Sequence, residues 1–232
     1  MPSEQLNGFL LHRRPYRETS YLVDLFTLEW GKVRALVKGV RASKSDKKSL
    51  LQAFQPLLLS LSGKHELKNL NQLESAGAML NLTGKSLFSA MYINEVMNRL
   101  LAPEIPQPEL FLRYQQGLGR LAQGKEIEPT LREFELALLD ELGYGFDLTH
   151  EYQQGKAVEP QVHYTFIIEH GLQHCPIPQN SPNYFCGETL LKVSRFDWDK
   201  SSLQCAKYLT RLTLSPLLGG KPLKSRELFR YA

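Results

Sequence analysis

Near residue 80 the spacing of the apolar residues changes, and this change divides the chain before any other feature does. Upstream, apolar side chains take every second position, as Leu57, Leu59 and Leu61 do in "QPLLLSLSG" and Val33, Ala35 and Val37 in "GKVRALV". Downstream they take helical spacing, as in Ile93, Val96, Met97 and Leu100 of "KSLFSAMYINEVMNRLLA". A period of two sends alternate side chains to opposite faces of a strand, whereas i, i+3, i+4 and i+7 share one helix face. A chain with both patterns in separate stretches is expected to be α+β, with a sheet domain over 1–80 and a mainly helical domain over 81–232.

Within the first stretch, "GFLLHRR" and "TSYLVDLFT" are dense in β-branched and aromatic residues and read as strands. Glu29-Trp30-Gly31 turns the chain into "GKVRALVKGVR". There Lys32, Arg34 and Lys38 share the face opposite Val33, Ala35 and Val37, with Leu36 intruding among the cations. Gly39 shifts the parity as a bulge glycine would, and Val40-Arg41 is expected to resume the strand. "SKSDKKS" reads as a hydrophilic loop, and "QPLLLSLSG" and "HELKNLNQLESAGA" as two further strands. Five short strands with turns between them suit a small closed sheet, for which a Greek-key barrel of the OB type is one candidate among several.

After the first helix, "PEIPQP" interrupts the pattern and "ELFLRYQQGLGRLAQ" forms a second helix. Pro129 opens a third, with a stripe of Leu131, Phe134, Leu138 and Leu142 and a stop at Gly143. Residues 146–187 are irregular, with one strand-like run, "HYTFIIEHG". Two helical patterns, "GETLLKVSRF" and "SSLQCAKYLTRLTLSPLL", precede Gly219-Gly220 and a basic tail.

The net charge of +4 is modest, so its placement matters more than its size. Residues 1–50 hold ten cations, Arg13, Arg14, Arg17, Lys32, Arg34, Lys38, Arg41, Lys44, Lys47 and Lys48, against five carboxylates. Such a face can follow a phosphate backbone, with Tyr16, Tyr21, Phe26 and Trp30 near enough to stack on bases. It can equally be a solvated strand face, and on the residues alone both readings stand. The tail cations Lys221, Lys224, Arg226 and Arg230 would add to an anion-binding surface.

Other chemistry has less behind it. His170, His174, Cys175 and Cys186 fall in the irregular stretch, and "HGLQHC" would put two ligands one helical turn apart; a zinc-dependent hydrolase built on these four is the rival reading. No Cys-x-x-Cys pair is present, and the expectation is that no metal is bound. "LLGGKPLKS" fails as a phosphate loop because Pro222 follows the Gly-Lys pair and Ser215 stands at the first glycine position. No Gly-x-Ser-x-Gly or His-Glu-x-x-His occurs, and Glu133, Glu135, Asp140 and Glu141 read as the wet face of a helix. Three cysteines without framework spacing, no signal-like N-terminus and no long apolar run point to a soluble cytoplasmic protein.

Taken in order, "RPYRETSYLVDLFT", "GKVRALVKGVR", "FQPLLLSL", "YINEVMNRLL", "REFELALLDELGYG" and "LGGKPLKSRELF" resemble the RecO family of bacterial recombination and DNA repair proteins, closest to its proteobacterial branch. The resemblance covers nearly the whole chain. It implies an N-terminal OB-fold, a helical C-terminal domain and a mediator without enzymatic activity or cofactor. Such a protein binds single- and double-stranded DNA and anneals complementary strands, including strands coated by the single-stranded-DNA-binding protein. With RecR, and in some settings RecF, it helps RecA load, which places it at the nucleoid. Many relatives carry two Cys-x-x-Cys pairs for zinc. Their absence here implies a degenerate, metal-free zinc-finger-like insertion over 146–187. The family also binds the acidic, Phe-terminated tail of the single-stranded-DNA-binding protein, and Arg132 beside the stripe of "LREFELALL" is the expected cation for it.

Overall fold

The computed structural model describes residues 4–41, 46–177 and 180–229. Alternation becomes curvature in its first part. Strands β1 (Leu6–Tyr16), β2 (Ser20–Thr27), β3 (Gly31–Val37), β4 (Leu57–Ser62) and β5 (Leu67–Ser75) close into a barrel in the order β1-β2-β3-β5-β4. Every pairing is antiparallel except β3 with β5, the arrangement of an OB-type barrel. Register shifts between Leu10 and His12 and between Ser60 and Leu61 supply the bends that closure needs. The inward residues, among them Leu10, Val23, Leu25, Val33, Ala35, Val37, Leu57 and Leu59, form one buried core.

Two local readings change. β3 ends at Val37, and residues 38–41 turn back with Gly39 at φ +69°, so Arg41 stands in a turn, not on a resumed strand. A left-handed residue ends the ladder where a bulge would have continued it. Part of the expected lysine loop is a short helix, α1 (Asp46–Leu50), after which Leu51 is buried in the barrel core with Leu50 packed beside it. A five-residue helix is too short to show a period; burial of the Leu pair holds it.

Helices α2 (Gly84–Leu100) and α3 (Pro108–Ala122) pack on the outer face of the barrel. Phe9 of β1 and Phe26 of β2 point outward, yet both are buried, 5.2–6.1 Å ring to ring from Phe111 and Tyr114 of α3. The Asn94 amide donates to the Leu10 carbonyl at the β1 bulge, and the Tyr114 hydroxyl donates to Asn94 Oδ1 at 2.7 Å. Burial pushes the Tyr114 phenol far above its ordinary range, so it stays a donor. The tail joins the same unit. Glu95 of α2 accepts from the Lys224 and Ser225 amides and the Ser225 hydroxyl at 2.7–3.0 Å, at the start of α7 (Ser225–Leu228).

Contacts therefore divide the chain into two units, Met1–Lys125 with Pro222–Ala232, and Glu126–Lys221. In the second, α4 (Ile127–Glu141), α5 (Gly187–Ser194) and α6 (Lys200–Leu217) accompany a small sheet of β6 (His163–Ile167), β7 (Gly171–His174) and β8 (Phe185–Cys186), ordered β7-β6-β8. "HYTFIIEHG" is thus no single strand but β6 and the turn into β7, because Gly171 at φ +113° supplies a reversal there. Pro129 sits in the first turn of α4, which begins at Ile127. Tyr164, Phe166, Leu172 and Phe185 bury the inner sheet face against Leu190, Val193, Ala206 and Leu209. Among the described residues no helix is long and apolar enough to cross a membrane.

Candidate nucleic-acid interface

Register decides which cations share a surface. Across β1, β2 and β3, Arg14 lies level with Leu22 and Leu36 on the outer face, and His12 with Asp24 and Arg34 one row nearer the helices. Beyond Arg14 the β1–β2 turn carries Arg17, and the chain leaving β3 carries Lys38 and Arg41. Arg41 ties these segments together: its amide donates to the Thr19 carbonyl and its guanidinium to the Arg17 carbonyl, each at 2.9 Å. Arg14, Arg17, Lys38 and Arg41 thus gather at one end of the barrel, with Arg34 on the adjoining row. The band runs across the strands, not along β3.

Within that band Arg14 and Lys38 are exposed and bond to no other described residue. Arg17 holds a left-handed φ of 49° and lays its guanidinium 5.3 Å from the Tyr16 ring centre. Such a conformation costs a non-glycine residue about 1–2 kcal/mol. Arg34 donates through Nε to Asp24 Oδ1 at 2.8 Å, and that bond raises its pKa further, so it is a permanent cation. His12 Nδ1 stands 3.7 Å from the other Asp24 oxygen. Among the described residues, Arg34 alone of this band is ion-paired to a carboxylate, whereas Lys68 of β5, outside the band, pairs with Glu104 at 2.7 Å.

The remaining cations are placed differently. Lys32 shares the outward parity of Arg34, but lies under the helices: its Nζ donates to the Asn98 carbonyl in the last turn of α2, and burial lowers its pKa. It caps a helix C-terminus, where unpaired carbonyls favour a cation. Arg13 faces the barrel end, donating to the Leu51 carbonyl at 2.5 Å and lying over Tyr21. Lys47 on α1 donates to the Asn71 carbonyl of β5, and Lys48 beside it is exposed. Lys44 and Arg230 fall outside the described residues. Lys224 and Arg226 belong to the tail held on α2, and Lys221 to the second unit. Of the expected stacking aromatics, Phe26 is fully buried, and Tyr21 and Trp30 pack against the barrel core.

Arg132 differs from a surface cation. It is 7% exposed, its guanidinium 2.9 Å from the Glu135 carboxylate, which is itself 2% exposed and accepts from the Thr210 hydroxyl. Arg132 lines one wall of a cavity of about 220 Å³ with Glu128, Lys200, Leu203, Gln204 and Lys207. Gln204 and Lys207 also border a wider groove of about 490 Å³ with Tyr208, Arg211 and Leu212. Lys200, Lys207 and Arg211 recur along one side of α6 at i, i+7 and i+11. This signal is readable in the sequence, but the apolar stripe of the same helix overshadows it.

The expected metal residues do not converge. His170 stacks on Tyr152 and His174 stands beside Tyr164, and the segment between them is a strand, not a helical turn. Cys175 and Cys186 donate to the carbonyls of Ile177 and Pro160. Cys205 is buried in the core, which pushes its thiol up to about 12. Among the described residues no three His, Cys, Asp or Glu side chains are placed to hold a metal ion. Nothing supports the hydrolase reading.

Comparison with known proteins gives two family matches in succession: "Recombination protein O N terminal" over residues 1–79 and "Recombination protein O C terminal" over residues 82–227. Relatives named "DNA repair protein RecO" match end to end. That of Pseudoalteromonas atlantica is 57% identical over 230 residues, covering 99% of this chain and 95% of the relative. That of Alteromonas mediterranea is 46% identical, covering 99% and 98%, and that of Vibrio cholerae 47%, covering 96% and 92%.

Proposed function

The chain belongs to the Recombination protein O family, whose members are DNA repair proteins and not enzymes, and from that premise we propose that it is a recombination mediator that binds single- and double-stranded DNA and anneals complementary strands. The observation that carries this reading is the cross-strand band of Arg14, Arg17, Arg34, Lys38 and Arg41, in which, among the described residues, only Arg34 is ion-paired, to Asp24. Annealing is opposed by repulsion between two polyanions. A rigid barrel end with fixed cations lowers that repulsion for both strands at once without reading bases. Lys47, Lys48 and the undescribed Lys44 would extend the band, and Lys221, Lys224 and Arg226 would act as outlying contacts. Lys32 and Arg13 are assigned to holding the fold.

The partner face is proposed on the second unit. An acidic tail ending in Phe needs an apolar floor with cations at its rim. Leu203, Tyr208 and Leu212 would form the floor, and Lys200, Lys207, Arg211 and Arg132 the rim. With the tail of the single-stranded-DNA-binding protein held there, RecR and in some settings RecF would join at coated DNA on the nucleoid, and RecA would follow.

Annealing of naked complementary oligonucleotides by a variant carrying Arg14→Glu, Lys38→Glu and Arg41→Glu tests the band. A slower rate and a shallower dependence of binding on salt are expected. An unchanged rate and salt slope in a folded variant reject this surface. The same assay on coated strands tests the mediator role itself.

A further inference from the structure

One face of the second unit has the opposite character. From Ala157 to Leu191 this basic chain contains no Lys or Arg, but carries Glu159, Glu169 and Glu188. This segment forms the whole β7-β6-β8 sheet. Its inner face is packed, so the outer face is left with His163, Thr165, Ile167, Gln173 and Cys186, all half-buried.

Two ring pairs stand at that sheet. Tyr184 and His163 stack at 4.6 Å with planes 6° apart, and Tyr152 and His170 at 5.2 Å with planes 21° apart. Tyr152 reaches its place because residues 150–152 run beside β7: Glu151 bridges Leu172, and the Tyr152 amide donates to the Leu172 carbonyl. Its Cβ sits beside Gly171. Tyr152 is 39% exposed, and the turn next to it exposes Ile168, Glu169 and His170.

We propose that this outer face is a docking surface for an arginine-bearing segment of a protein partner. A guanidinium is planar and weakly hydrated and lies flat on an aromatic face, while its N–H groups reach a carboxylate at the edge. The Tyr152–His170 pair supplies the flat surface, Glu169 the adjacent carboxylate, and Ile168 apolar cover for the stem of the side chain. Nucleic acid also stacks on rings, but Lys156 in the turn after Tyr152 is outnumbered by Glu159, Glu169 and Glu188, so charge favours the basic peptide.

The test uses the full chain and three probes: a short fluorescent Gly/Ser peptide carrying arginines, its lysine counterpart, and a labelled oligothymidylate. Tyr152→Leu keeps apolar bulk without a ring, and Tyr152→Phe keeps the ring; the position is exposed, and melting curves check that both variants fold. The arginine peptide is expected to bind more tightly than the lysine peptide, to lose about tenfold in affinity with Tyr152→Leu and with Glu169→Gln, and to bind Tyr152→Phe as before. Equal binding to all the variants, equal loss in Tyr152→Leu and Tyr152→Phe, or no binding to the full chain overturns the proposal. A weaker oligothymidylate complex with Tyr152→Leu also overturns it, and assigns the face to nucleic acid.

Discussion

At the scale of single residues, cations of one type separate by what their charged ends meet. Arg14→Ala and Lys38→Ala remove groups bonded to nothing else described. Each is expected to leave the melting temperature nearly unchanged and to lower the salt slope of duplex DNA binding by about 0.9, the loss of one phosphate contact. Lys32→Met should do the reverse, weakening the cap on α2 while leaving the slope alone, as a salt titration beside a melting curve would show. Arg17→Gly isolates strain from charge. It relieves about 1 kcal/mol of left-handed cost and so tends to stabilise the barrel, yet should still weaken DNA binding. Arg132→Ala removes a partner of a carboxylate buried with it, a loss of about 3 kcal/mol that would obscure any effect on a tail peptide. Lys207→Ala, on the rim, is the cleaner probe and should weaken an acidic peptide with little change in stability. Among these positions the sequence could show that Lys32 and Arg34 share a parity. Only the helix packed above β3 separates their roles, and that neighbour lies more than sixty residues along the chain.

At the scale of elements, periodicity located the strands of the barrel and the longer helices because each buries one regular face, Val33, Ala35 and Val37 inward in β3 being the plainest case. It failed where position depends on a partner distant in sequence. α1 exists to deliver Leu50 and Leu51, β6 and β7 divide at Gly171, and Phe26 lies under α3 although its strand neighbours gave it an open face. The cationic band was half visible for the same reason: its residues were evident, but its direction across strands is set by register, which one strand cannot reveal. Gly31 marks another such junction. It has φ +68°, and a Cβ there would run into the Ile105 carbonyl, so Gly31→Ala should displace the loop before α3 and lower the melting temperature. The tail is held by electrostatics that depend on pH. Burial alone would raise the Glu95 pKa, but hydrogen bonds from Ser225 and Lys224 outweigh it and hold it below the ordinary 4.5. A depressed carboxylate contributes fully above that ordinary value and loses its contribution as the pH falls through the folded one. The Ser225 amide resonance should therefore stay near its neutral position at pH 5 and shift only in more acidic solution, whereas Glu95→Gln should show no such transition.

At the scale of the whole molecule, residues 126–221 form an insertion in a unit that begins before them and is completed after them. Removing residues 222–229 should therefore speed amide exchange in α2, which the tail covers, and leave α5 and α6 as protected as before; mass spectrometry of exchange would read both. The proposed division of labour follows the same lines, with phosphates on the barrel and protein segments on the inserted unit. Strand closure also has a mechanical side. If a bound filament or a partner pulled the described ends of the chain apart, the strain would fall first on the clamp between Glu95 and Ser225. Until that clamp let go, the inserted unit would lie off the load path, and whatever it held would feel no tension.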